Sequence, residues 1–186
     1  MPVIPLFPLG TLLVPGQALP LRLFEDRYLA LHDDLMARPE DQRSVGIVLI
    51  QGGSEVGDGN AGRLAPVGTE GVLQRSEEAD VHGRRVVMWE LLGHRRFRLD
   101  GMPSAGPTAY LTAEVGWLAD DDRAPFTHGR AAEAGLSVRD RQRILEAADP
   151  AARDALAAEL IRHEQWLQSQ FGGRPIHQMP GGESLN

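Results

Sequence analysis

The chain has 186 residues, a net charge of −7 and no Cys, and all 19 of its Lys-plus-Arg positions are Arg. These counts exclude disulfides, thiolate metal sites and cysteine nucleophiles, together with the P-loop lysine, Schiff bases and the serine–lysine dyad. The length suits one large domain or a domain with an appendage, and the acidic balance disfavours a nucleic-acid partner.

From Met1 to Gly16 the chain carries no charged side chain and is interrupted by Pro, so it lacks the form of a secretory signal. No apolar run approaches the ~20 residues of a membrane span. A cytoplasmic protein without membrane contact is expected. Leu6-Phe7, Thr11 to Val14 and Ala18 to Leu23 read as short strands separated by Pro8, Gly10 and Pro15-Gly16. In the third run Leu19, Leu21 and Leu23 share one face, which puts Pro20 on the other, at a sheet edge or bulge. Phe24, Tyr28, Leu31 and Leu35 then follow at helical spacing and predict an amphipathic helix ending before Pro39. Leu19, Leu21, Leu23, Phe24 and Tyr28 are expected in the core.

Ser44 to Gln51 is almost wholly apolar and predicts a strand buried on both faces. Gln51 to Gly62 reads as a Gly-rich loop, and Thr69 to Ser76 as a strand followed by an acidic turn at Glu77, Glu78 and Asp80. His82-Gly83 turns the chain into Arg84 to Leu92, and a second turn at Gly93-His94 leads to Arg95 to Leu99, so these two runs predict a hairpin. Ala109 to Leu118 is the last expected strand, ended by Asp120 to Asp122. Ser137 to Asp140 resembles a capping box opening a helix through Ala148. Asp149-Pro150 begins another helix that runs to about Phe171, with Leu156, Leu160 and Leu167 on one face. This predicts a β-rich part over residues 1–122, a helical appendage over 123–172 and a disordered tail over 173–186.

Gly57 to Gly62 spells the dinucleotide fingerprint, but Arg63 to Gly68 cannot begin the helix that motif requires. No two of the six His stand at metal-site spacing, and neither cofactor nor metal is expected. Ser54 and Ser104 lack the surroundings of an acyl-transfer nucleophile. His163-Glu164 reads as a solvated pair, and the acidic clusters at 77–80 and 120–122 as solvated loops. His94, Arg96 and Arg98, near Arg84 and Arg85, form the one basic concentration, able to receive a phosphate or carboxylate. Trp89, Tyr110 and Trp117 are either core residues or a recognition surface.

Several ordered pieces resemble the Lon protease N-terminal, substrate-binding domain: Pro5 to Leu9, Val14 to Gly16, Leu19 to Leu21, Phe24 to Tyr28, Val45 to Leu49, Val67 to Gly71, Gly93 to Leu99 and Ala109 to Leu118. Arg139 to Ala147 resembles the tail of stand-alone bacterial members. The resemblance spans about residues 1–120 and implies an α+β fold, a PUA-like β pseudo-barrel with one inserted helix, followed by a small helical part. It also implies a polypeptide-binding module, for substrate recognition or a chaperone-like role, with no ATPase, peptidase or other enzymatic activity. The implied partners are unfolded or exposed polypeptide segments, a protease or a chaperone. The residues expected to bind polypeptide are Trp89, Arg96, Arg98, Tyr110 and Trp117. The alternative is an RNA-binding PUA-like module using the face of His94, Arg96 and Arg98, and a small hydrolase built on scattered carboxylates is a third reading.

Overall fold

The computed structural model describes residues 1–52 and 63–171. The fingerprint-like Gly57 to Gly62, Ser54, His177 and the tail expected over 173–186 lie outside the described residues. The chain divides into two compact units, Met1–Pro125 and the residues from Phe126 on.

The first unit is a ring of strands. β1 (Val3–Leu9) runs parallel to β3 (Ser44–Gly52), with Leu6 opposite Gly46. On its other side β1 pairs antiparallel with β7 (Thr112–Trp117), which pairs with β6 (Arg84–Leu99). β6 pairs with β5 (Val67–Val81), and β5 returns to β3, so five strands close on themselves. β2 (Ala18–Leu23) lies on β6 outside this ring, and the short β4 (Arg63–Leu64) extends β3. The run Val45 to Leu49 is buried throughout because β3 is covered on both faces: Val45 and Ile47 belong to the main core, and Val48 and Leu49 pack with Ala65.

β6 is the axis of the unit. It is one continuous strand, not the hairpin expected at Gly93-His94; residues 87–92 pair with β2 and residues 97–99 with β7. The turn expected at His82-Gly83 is present, with φ of 55° and 76°. Two consecutive positive φ values match the twist of a two-residue hairpin. The expected acidic turn at Glu77 to Asp80 is therefore part of β5. Gly93 serves close approach instead of turning: a Cβ there would collide with the carbonyl oxygen of Val14. Gly16 N–H donates to the Gly93 carbonyl and Gly93 N–H to that of Gln17, both at 2.8 Å. Thr11 to Val14, expected as a strand, thus crosses β6 as an irregular segment with Leu12, Leu13 and Val14 buried.

Helix α1 (Asp26–Met36) follows β2 and closes one end of the core with Tyr28, Leu31, His32 and Leu35. Phe7 stacks on Tyr28 with centroids 3.8 Å apart, and Trp89 lies 6.4 Å from Phe7. Leu19 and Leu21 pack partly buried against this cluster and Leu23 within it. Phe24 does not join them and is 58% exposed. The helix starts at Asp26, with Glu25 still extended at its N-cap, so Phe24 precedes the stripe whose spacing it seemed to begin.

In the second unit α2 (Ala124–Glu133, beginning at the boundary), α3 (Val138–Leu145) and α4 (Pro150–Phe171) gather Ala131, Leu136, Ile144, Ala157 and Ile161. Ser137 Oγ accepts the Asp140 N–H at 3.1 Å, and Asp149 accepts that of Ala152 at 2.9 Å, the two caps expected. The buried stripe of α4 is Arg153, Ala157, Ile161 and Glu164, one residue displaced from the expected leucines. Glu164, expected to be solvated beside His163, is buried and accepts a hydrogen bond from Gln168 at 3.2 Å.

Candidate functional site

Three of the five expected binding residues turn inward. Trp89 belongs to the main core, and its indole N–H donates to His32 Nδ1 at 3.0 Å. His32 Nε2 faces Glu78 Oε1 at 3.2 Å. Tyr110, in the same core, donates its hydroxyl to Asp34 Oδ2 at 2.6 Å. Burial, then the neighbouring Asp34 carboxylate, pushes the phenol up to about 12. Arg96 is fully buried; its Nε donates to Asp120 Oδ2 at 2.8 Å and its Nη2 to the Ala119 carbonyl at 3.1 Å. It fastens the chain after β7 to the middle of β6.

The other two remain within reach of solvent. Arg98 is exposed and donates to Asp100 Oδ1 at 3.1 Å. Trp117 is half-buried, edge-on to Phe97, and Arg95 lies 3.6 Å over its ring. The five residues therefore do not share one face: Trp89 and Tyr110 pack with α1, whereas Trp117 packs beside Leu6, Phe97, Ala113 and Val115.

The basic concentration on β6 is matched by carboxylates. Thr69 pairs with Arg96 and Gly71 with Gly93, so His94 and Arg95 together stand opposite the single residue Glu70. This bulge converges both side chains on one carboxylate. Glu70 Oε2 accepts from Arg95 Nε at 2.8 Å and lies 3.2 Å from His94 Nδ1, while Ser44 donates to Oε1 at 2.8 Å. Burial pushes the Glu70 carboxyl up, but the hydrogen bonds from Arg95, Ser44 and His94 outweigh it and hold the group below its ordinary range. Arg85 is likewise clamped by Asp33 and Glu78. His94, Arg96 and Arg98 do not present the open basic face that the RNA reading requires. Among the described residues no three His, Asp or Glu side chains are grouped to hold a metal ion, and no helix is long and apolar enough to cross a membrane.

A different site emerges at the start of the chain. Phe7, Pro8, Leu9, Leu21, Phe24 and Tyr28 line a cleft of about 120 Å³, with the charged Arg22 and Glu25 completing its lining. Topology explains it. The pairing of β1 with β7 ends at Pro5, so Phe7 to Leu9 are paired with β3 alone, and β2 pairs only with β6. Two strands with an unpaired edge thus flank one apolar hollow, with the exposed Phe24 ring in its wall. Glu25 is neutralised by Arg27 at 2.9 Å, and the Arg27 guanidinium lies 4.6 Å over Tyr28. Arg22 has no ion-pair partner among the described residues. A second hollow of about 260 Å³, lined by Ala18, Pro20, Arg75, Glu77, Met88, Trp89 and Glu90, is more highly charged and carries the Arg75–Glu77 ion pair. The apolar cleft is the better candidate; Pro20, read as a sheet-edge residue, signals in the sequence only the open edge of β2 beside it.

A closed five-stranded ring with a helix between its first two strands, followed by a helical unit, is an α+β architecture. The structure is similar to a Lon N-terminal domain protein from Xanthomonas campestris, with 27% identity, a TM-score of 0.60, and coverage of 85% of this chain and 98% of that one. It also shares the fold of the N-terminal domain of a Mycobacterium avium complex Lon protease, with 16% identity, a TM-score of 0.58, and coverage of 87% and 98%. The family of the ATP-dependent protease La (LON) substrate-binding domain matches residues 3–134, and the chain belongs to that family. No curated protein matches the sequence.

Proposed function

We propose that this chain is a non-enzymatic polypeptide-binding module of the cytoplasm, which captures unfolded or exposed segments for substrate recognition or a chaperone-like task, alone or beside a protease or chaperone. The observation that carries this reading is the cleft between the unpaired edges of β1 and β2. An extended segment bound there would gain main-chain hydrogen bonds from an edge and bury an apolar side chain among Phe7, Leu9, Leu21, Phe24 and Tyr28. Main-chain pairing is indifferent to sequence, and a cleft of this size takes little more than one side chain. Such a site suits many segments held weakly. Family membership supports the same reading. Trp117 and Arg98 remain solvent-reachable for a longer segment.

Titration of the protein with a permanently unfolded model polypeptide tests the proposal. Saturable binding is expected at roughly tens of micromolar, and weakening on Leu21→Ser. Absence of binding in that range sinks the reading.

A further inference from the structure

We infer that the segment preferred by this cleft carries an apolar residue directly next to an acidic one and enters as an added strand on the open edge of β2; this rests on the polypeptide-binding reading above. Side chains alternate along β2: Leu19, Leu21 and Leu23 turn inward, whereas Ala18, Pro20 and Arg22 turn out. A strand laid against β2 continues the pleat, so a ligand residue beside Leu21 points into the hollow and its immediate neighbour emerges on the face of Arg22. That face carries a positive charge without an ion-pair partner among the described residues. Glu90, opposite Pro20 on the same face, makes no ion pair with it. The other charges at the cleft, Glu25 and Arg27, already satisfy each other at 2.9 Å. A protein of net charge −7 thus offers one local positive site where an incoming strand would place its next side chain.

Pro20 sharpens the register. It has no N–H to give, so the edge offers donors only on either side of it, and a ligand strand paired along Leu21 to Leu23 avoids the gap. This is the stretch that bears both the cleft and Arg22.

The test uses the full chain and short fluorescein-labelled peptides, read by anisotropy at low salt. The peptides are identical except for a central Phe-Asp, Phe-Asn, Phe-Arg or Phe-Gly-Asp. Phe-Asp is expected to bind about two- to five-fold tighter than Phe-Asn, the range of one exposed ion pair. The Phe-Gly-Asp peptide should lack that advantage, because two residues apart returns the carboxylate to the cleft side. Arg22→Ala should abolish the preference, and Arg22→Glu should transfer it to Phe-Arg. Binding of all four peptides with equal affinity, or a Phe-Asp preference that survives Arg22→Ala, overturns the inference and leaves the polypeptide reading standing. Failure of every peptide and of the unfolded polypeptide overturns both.

Discussion

The indole N–H of Trp89 donates to Nδ1 of His32 at 3.0 Å, across the interface between β6 and α1. Both side chains are buried, so neither can turn to water for a replacement. The bond fixes the His32 tautomer, leaving Nε2 to face Glu78. Trp89→Phe keeps an aromatic ring in place and strands an acceptor. An unmet buried acceptor costs about 1–3 kcal/mol, added to the packing lost, and the urea midpoint should fall accordingly. Adding His32→Leu should recover part of the loss, since an apolar pair has no unmet polar atom; additive losses would show that the bond contributes nothing.

Arg96 and Arg98 are two residues apart and should respond very unequally to the same change. Arg96 is fully buried against Asp120 and the Ala119 carbonyl. Arg96→Met leaves the Asp120 carboxylate without that charged partner in a largely enclosed site, a loss of roughly 3–5 kcal/mol. The exposed Arg98 meets Asp100 in solvent, and Arg98→Met should shift stability by less than about 1 kcal/mol. Equal effects in thermal unfolding would contradict the assignment of Arg96 as a structural anchor.

The contrast between these two arginines shows what the sequence could carry. Alternation along Leu19, Leu21 and Leu23 was legible because a strand's period is local, and so were the caps at Ser137 and Asp149. Arg96 looked like a surface cation because its partner lies 24 residues away. Gly93 looked like a turn because glycine is needed both for turns and where backbones touch, and the touching carbonyl belongs to Val14. Phe24 fitted a helical spacing that begins only at Asp26. The cleft itself was invisible, since it arises where β1 and β2 lack neighbours, a property of the assembled sheet.

Glu70 should govern part of the acid limb of stability. Its carboxyl is held below the ordinary value of 4.5, with burial opposing and Arg95, Ser44 and His94 prevailing. A group depressed in the folded state stabilises above its unfolded pKa and loses that contribution as pH falls through the folded one. Stability should therefore decline from about pH 4.5 downward, and Glu70→Gln should flatten this part of the curve. An unchanged acid limb in denaturation curves of the variant would exclude Glu70 as a contributor.

Tyr110 should mark the alkaline side. Its phenol is pushed up to about 12 by burial and by Asp34. A raised pKa contributes stability below the unfolded value near 10, and that contribution disappears as pH climbs through the folded value. Tyrosinate absorbance should show a late titration that is absent from Tyr110→Phe. Asp34→Asn should move it to lower pH while leaving it above the ordinary range, because burial remains. A Tyr110 that titrates at the ordinary value would mean the ring is open to water.

Phe24 offers the sharpest separation of fold from function. Its ring is 58% exposed and lies outside the core, so Phe24→Ser removes little buried area and should change unfolding stability by no more than about 0.5 kcal/mol. Phe7, in the same cleft wall, is buried and stacked on Tyr28 at 3.8 Å, and Phe7→Ser should destabilise by about 3–5 kcal/mol as a core truncation. An exposed aromatic that the fold does not need is the kind of residue a binding surface uses. Capture of an unfolded polypeptide should therefore fall several-fold in Phe24→Ser at unchanged stability. Arg95, stacked on Trp117 on another part of the ring, supplies the control: Arg95→Ala should leave capture by the cleft intact. If Phe24→Ser binds as the wild type does while Arg95→Ala loses binding, the polypeptide site lies at the Trp117 platform and not in the cleft.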